Sequence, residues 1–288
     1  MSRIVVGVDG SPHADRALRW AVREAKVRDA EIELVHGYVL HPHAAMIGRS
    51  DHDLAEARMD AIVERNRSAL DRTGIKWIAT VVPLMSGPTA ALVNAGTDAD
   101  LIVVGSRGLG GFAALFLGAT SYHTAAHAST PVAVIRGGED SEPDDATRAV
   151  VVGIDGARAS RRALRWAMDE AQRRGVGLTV VHAYCWPVDP ALATVMSPAQ
   201  FERCRACTHD DASAVVDRVL DDVDVPVDVD VERVIAPGSA AGVLLDRAAS
   251  DRLLVMGTRG RNALGRAVFG SVSHQCLHHA RGPVIVVP

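Results

Sequence analysis

Apolar runs and helically spaced apolar residues take turns along this chain. Arg3-Ile4-Val5-Val6-Gly7-Val8 reads as a buried strand that stops at Asp9-Gly10-Ser11-Pro12. Ser11 is placed to cap a helix, with Pro12 at its first position. Ala14, Ala17, Leu18, Ala21, Val22 and Ala25 then recur at the helical period, so this helix buries an alanine-lined stripe. Ile32 to His36 is a second strand, followed by an irregular segment from Tyr38 to about Asp53 and a polar helix from about Leu54 to Arg72. Lys76 to Pro83 is a third strand, and Gly87-Pro88 opens a short helix that ends near Gly96. Leu101 to Val104 is a fourth strand, Gly118 to about Ser129 a helix, and Pro131 to Ile135 a fifth strand. Strict alternation of strand and helix predicts a parallel sheet covered on both faces.

The pattern then stops and restarts. Gly137 to Thr147 is acidic, has no apolar periodicity and reads as a solvated linker. After it, Val152-Gly153-Ile154-Asp155-Gly156 repeats Val6-Gly7-Val8-Asp9-Gly10. Arg162-Ala163-Leu164-Arg165-Trp166-Ala167 likewise repeats Arg16-Ala17-Leu18-Arg19-Trp20-Ala21. Val181-His182-Ala183-Tyr184 answers Val35-His36-Gly37-Tyr38. Further on, Gly105 corresponds to Gly257 and Pro131 to Pro283, so six residues are added between the second and fourth strands of the later copy. The expected organisation is a first domain over 1–136, a linker over 137–147 and a second domain over 148–288. Copies of about 140 residues are a duplicated domain, because a solenoid unit is only about 20–50 residues.

Composition narrows the class. Aromatics make up 4% of the 288 residues, so the cores must be aliphatic and alanine-rich. A formal net charge of −4 gives no reason to expect nucleic acid or an anionic membrane as partner. No stretch approaches the roughly 18 apolar residues of a membrane span. Met1-Ser2-Arg3 runs directly into a strand, so no signal peptide is visible. Four cysteines do not form a disulfide framework, and a cytoplasmic location is the expectation.

The candidate chemistry lies in two loops. Val103-Val104-Gly105-Ser106-Arg107-Gly108 is followed by Gly118-Ala119-Thr120-Ser121, and Val255-Met256-Gly257-Thr258-Arg259-Gly260 by Gly270-Ser271-Val272-Ser273. Each is a strand, a glycine turn and a helix start. Glycine can take φ > 0 there and has no Cβ to block a ligand. The first N–H groups of the helix are free to receive an anion. The pattern is not Walker A, since no lysine is near, and Gly7-Val8-Asp9-Gly10 lacks the dinucleotide spacing. Asp9 and Asp155 end the first strand of each copy, where open parallel sheets bind ligands. Each is read as an acceptor for a ribose or base, as a Mg²⁺ ligand, or as a turn aspartate. Arg107 and Arg259 are either phosphate partners or solvated turn residues.

With Gly-x2-Gly-x9-Gly and an aspartate after the first strand in both halves, the chain resembles tandem members of the universal stress protein family, in their nucleotide-binding branch. The later copy matches that branch's Gly-Ser/Thr ending in full with Gly270-Ser271, whereas Ala119 stands there in the first. The resemblance implies two α/β domains of flavodoxin-like (adenine nucleotide alpha hydrolase-like) fold. Each would hold a five-stranded parallel sheet of order 3-2-1-4-5 with helices on both faces. It implies bound ATP with Mg²⁺, the triphosphate on the glycine loop and the adenosine near Asp9 and Gly37, or near Asp155 and Ala183. The implied binding residues are Gly7, Asp9, Gly37, Val104, Gly105, Ser106, Arg107, Gly108, Gly118, Ala119, Thr120 and Ser121 in the first half. In the second they are Gly153, Asp155, Ala183, Met256, Gly257, Thr258, Arg259, Gly260, Gly270, Ser271, Val272 and Ser273. The fifth strand is expected as an edge through which the halves pair, with tandem chains forming a homodimer. A regulatory role in stress response or growth control follows, with no catalytic residue and at most slow hydrolysis. The missing hydroxyl at Ala119 removes about 1.5–3 kcal/mol from one contact to a charged oxygen. The second site is therefore expected to bind more tightly, unless Thr120 or Ser121 compensates.

Other motifs carry less. Cys204 and Cys207 form a lone C-x2-C with no counterpart in the first half and read as cysteines on an amphipathic helix. His41, His43 and His52 fall in the irregular segment, and His274, His278 and His279 on the last helix. His274 and His278 have the spacing of a metal pair but no glutamate between them, so a solvated or packed face is the reading. No metal site and no nucleophile elbow is expected.

Overall fold

The computed structural model describes residues 2–38, 50–71, 74–83, 87–108, 117–136, 149–185, 196–223, 226–258 and 269–288. The linker and most of the irregular segment after Tyr38 lie outside them. Contacts divide the chain into two compact units. One is Met1–Asp145 with Leu277–Val286 and Pro288, and the other is Ala146–Cys276 with Val287.

The first unit begins with β1 (Ser2–Gly7), α1 (Pro12–Arg28) and β2 (Ala30–Tyr38). α2 (Asp51–Asp71), β3 (Trp77–Pro83), α3 (Pro88–Ala95) and a short 3₁₀ turn (Gly96–Asp98) follow. It closes with β4 (Leu101–Gly105), α4 (Ala119–His127) and β5 (Val132–Ile135). Its strands lie in the order β3-β2-β1-β4-β5, all parallel. β4 and β5 are buried along their whole length, as expected of parallel strands covered on both faces, while no residue of the edge strand β3 is fully buried. β5 is not a free edge: Val132, Ala133 and Val134 pair antiparallel with Val286, Ile285 and Val284 of β10 (Val284–Val287).

The second unit holds β6 (Ala149–Gly153), α5 (Arg158–Arg174), β7 (Gly177–Tyr184), α6 (Pro198–Asp221) and β8 (Val231–Pro237). α7 (Ala240–Arg247), β9 (Arg252–Gly257) and the start of α8 (Ser271–His279) complete it. Its strands run β9-β6-β7-β8, again parallel, the same order as β4-β1-β2-β3.

The helices form where the sequence places them. All six residues of the α1 stripe are buried, from Ala14 to Ala25. Ser11 caps α1, its Oγ accepting from the Ala14 N–H at 3.2 Å, and Pro12 follows. The same hydroxyl donates to the Arg107 carbonyl at 3.4 Å, tying the helix start to the glycine loop. Ser11→Ala is expected to cost about 1 kcal/mol, read as a lower urea midpoint for the first unit's transition. The second unit has Ala157 at this position, with no side-chain cap. There the Ser160 hydroxyl donates to the Ala157 carbonyl at 2.9 Å and accepts from the Asp155 N–H at 3.3 Å.

Candidate nucleotide site

Parallel strands deliver their carboxyl ends to one side of the sheet, and in the first unit a cavity of about 370 Å³ opens there. Of the residues assigned to this site from sequence, all but Ser106 line it, from Gly7 and Asp9 to Thr120 and Ser121. Ser106 is buried beneath the wall and fixes the loop by its backbone. Its N–H donates to the Ile135 carbonyl at 3.0 Å, and its carbonyl accepts from the Gly118 N–H at 2.8 Å. That second bond places the start of α4 directly against the glycine loop.

The glycines are needed for space rather than for an unusual backbone. Positive φ falls instead at Gly10 (83°) and Gly156 (81°), in the turns after the two aspartates. A Cβ on Gly105 would stand 2.6 Å from the backbone carbon and oxygen of His13, because the start of α1 lies on that glycine. A Cβ on Gly108 would stand 2.6 Å from Asp9 Oδ2. The aspartate therefore faces the glycine loop across the crevice. It also performs the turn role weighed against binding: Oδ1 accepts from the Ser11 N–H at 2.9 Å.

Other wall residues were not legible as such. Pro88 and Leu92 of α3 close the cavity over the ends of β1 and β2. A Cβ on Gly37 would meet Pro88 Cα and Ala91 Cβ, both at 3.0 Å. The Gly87-Pro88 helix start was visible in sequence, but its packing on Gly37 joins residues far apart in the chain. Val8, Ala14, Val35 and Leu117 complete the apolar lining. His36, buried next to Gly37, has Nδ1 at 2.8 Å from the Val8 carbonyl, a bond that requires the proton on Nδ1. It thereby holds the residue just before Asp9.

Ser121 is on the wall, yet its hydroxyl is turned away from the cavity and donates to the Gly105 carbonyl at 2.5 Å. It anchors the loop. Arg107 also lines the cavity, and its buried Nε has no hydrogen-bond partner among the described residues. Burial and the neighbouring Arg107 charge both push the pKa of Arg136 down.

The second unit repeats this framework. Gly153, Ala183, Met256 and Gly257 sit at the carboxyl ends of parallel strands, and Ser271 begins α8. The Asp155 Oδ1 accepts from the Ala157 N–H at 2.9 Å, and His182 Nδ1 lies 2.8 Å from the Ile154 carbonyl. The Gly270 N–H donates to the Thr258 carbonyl at 2.8 Å, and the Ser273 hydroxyl to the Gly257 carbonyl at 2.7 Å. A Cβ on Gly257 would meet the Ala159 backbone at 2.8 Å. Val272 follows Ser271 in the first turn of α8, half-buried. Arg259 and Gly260 lie outside the described residues.

The remaining motifs do not assemble. Among the described residues no group of three His, Cys, Asp or Glu side chains could hold a metal ion. Cys185 and Cys207 are exposed and Cys204 is half-buried on α6, while burial pushes the Cys276 thiol up to about 12. His41 and His43 lie outside the described residues, and His52 pairs with Glu56 at 3.1 Å. Among the described residues no helix is long and apolar enough to cross a membrane.

Comparison with known proteins agrees with this architecture. The sequence profile of the universal stress protein family matches residues 1–136 and again 146–288, so the chain belongs to that family as a tandem member. It is 33% identical over 296 residues to a universal stress protein of Mycolicibacterium smegmatis, covering 99% of this chain and 96% of that one. It is 31% identical over 290 residues to universal stress protein Rv2005c of Mycobacterium tuberculosis, covering 98% and 96%. Among solved structures, a universal stress protein from Archaeoglobus fulgidus shares the fold with a TM-score of 0.65 at 19% identity, over 99% of this chain and 97% of that one.

Proposed function

We propose that this universal stress protein binds ATP and acts through its nucleotide-bound state in stress response or growth control. The observation that carries the reading is the first unit's cavity. It brings the end of β1, the end of β2, the glycine loop and the first turn of α4 onto one wall. The two ends of that wall suit the two ends of a nucleotide. Gly37, Val35, Pro88 and Leu92 offer an apolar seat for a base. Gly105, Gly108 and Gly118 put no Cβ beside the start of α4, whose first turn has no side-chain cap, and Arg107 adds a positive charge, which suits phosphates. Asp9 is the carboxylate of the lining and would serve a ribose hydroxyl or Mg²⁺.

The reading is of a binding protein rather than an enzyme. Among the described residues the lining holds no histidine and one acid, which is engaged by the Ser11 N–H, so none of them is set up as a base for an attacking water. Occupancy would instead bias the surface offered to a partner. The test is gentle purification, acid extraction and chromatography of the released small molecule. One to two moles of ATP per chain are expected, with a thermal shift on adding ATP and Mg²⁺ to the stripped protein. Neither nucleotide nor shift would replace the reading with a nucleotide-free interaction module.

A further inference from the structure

The two helix starts distribute their hydroxyls differently. In the second unit the order is Ser271-Val272-Ser273, and in the first it is Ala119-Thr120-Ser121. The third position has one role in both: Ser273 and Ser121 are buried and donate to the loop carbonyls of Gly257 and Gly105, at 2.7 Å and 2.5 Å. Neither hydroxyl is available to a ligand. The second unit then has one more hydroxyl in this turn, on Ser271, which is exposed. In the first unit Ala119 is exposed and carries none, while Thr120 is half-buried on the cavity wall. Among the described residues the Thr120 hydroxyl has no bonding partner, although its backbone carbonyl accepts from the Thr124 hydroxyl.

We infer that Thr120 carries the phosphate-recognising hydroxyl of the first unit, replacing the one absent from Ala119. This rests on the nucleotide reading above and names the group that completes its first site. Successive helix positions are about 100° apart around the axis. The two units therefore present their hydroxyls from different directions and touch different oxygens of the phosphate chain. Arg107 stands beside this position: its Cα is 3.4 Å from the place a Cβ on Gly118 would occupy, and its buried Nε lacks a partner among the described residues. A nucleoside phosphate seated at Gly118 to Thr120 meets that hydroxyl with Arg107 alongside. The weakness otherwise expected of the Ala119 site is thereby offset.

The experiment is isothermal titration of the full chain with ATP and Mg²⁺, analysed for two sites. Wild type, Thr120→Val, Thr120→Ser, Ala119→Ser/Thr120→Val and Ser271→Ala are compared, with unfolding midpoints recorded without nucleotide. Wild type is expected to show two dissociation constants within about tenfold of each other. Thr120→Val should weaken one site by ten- to hundredfold and leave the other unchanged. Thr120→Ser should restore it, and so should the double variant, which moves the hydroxyl to the position used by the second unit. Ser271→Ala should weaken only the other site. Two unaltered sites in Thr120→Val would overturn the inference while leaving the nucleotide reading intact. A single wild-type site lost in Ser271→Ala would overturn it as well, by showing the first unit empty. No binding by wild type would remove the nucleotide reading itself.

Discussion

A Gly105→Val chain is expected to lose about 3 kcal/mol from the first unit, the upper end for overpacking a tight contact. The reason lies in what the new Cβ meets. Its neighbours at 2.6 Å are the backbone carbon and oxygen of His13, in the first turn of α1. A flexible side chain could swing aside, but the start of a helix cannot. That turn is held by the Ser11 cap and by the buried stripe from Ala14 to Ala25. Relief must come from displacing either α1 or the end of β4, and both lie in the core. At about 2–4 °C per kcal/mol for a unit of this size, the melting point of the first transition should fall by roughly 6–12 °C. Calorimetry of the intact chain measures it. A melting point within about 1 °C of wild type would mean that the loop does not pack on α1 as described.

Gly108→Val should behave in the opposite way, although it alters the same motif three residues later. The atom its Cβ meets, at 2.6 Å, is Asp9 Oδ2, the far end of a side chain rather than backbone. Asp9 can turn aside by giving up its bond from the Ser11 N–H, so the cost in stability should be about 1 kcal/mol. The cost in binding should be large. The valine would fill the crevice between the glycine loop and the end of β1, and it would displace the one carboxylate of the lining. A loss of at least about a hundredfold in ATP affinity at the first site is expected, equivalent to about 2.7 kcal/mol. Titration beside a thermal melt without nucleotide reads both quantities. If the variant binds ATP as tightly as wild type, the glycine loop is not the phosphate seat. Together the two substitutions separate a glycine that makes room for the fold from one that makes room for a ligand.

Most of the fold was legible because its signals are local. The Asp9-Gly10-Ser11-Pro12 turn, the alanine stripe of α1 and the uninterrupted apolar run at Leu101 to Val104 each specify their element within a few residues. The duplication then supplied the second unit from the first. The site was legible as a set of positions, since strand ends and glycine turns must gather on one side of a parallel sheet. What each side chain does there was not. Ser106 and Ser121 look like phosphate ligands beside the glycines, yet one is buried under the loop and the other holds the Gly105 carbonyl. Which way a hydroxyl points depends on the helix axis relative to the loop, and spacing does not encode that. The glycines were read both as free to take φ > 0 and as lacking a Cβ; positive φ falls instead at Gly10 and Gly156, and it is the missing Cβ that matters, against α1 and Asp9. Pro88 and Leu92 were missed because only the finished sheet brings α3 over Gly37.

The assignment of Leu277–Val286 to the first unit bears on how the chain is made. Translation delivers residues in order, and β5 emerges before any strand of the second copy. Its antiparallel neighbour, Val284 to Val286, follows only after strands β6 to β9. The first unit is therefore completed only after most of the second has been made. Throughout synthesis of the second copy β5 waits as an unpaired apolar edge, the kind of surface that recruits a neighbouring nascent chain. A stop codon just before Val284 would thus injure the first unit, far upstream of the lesion.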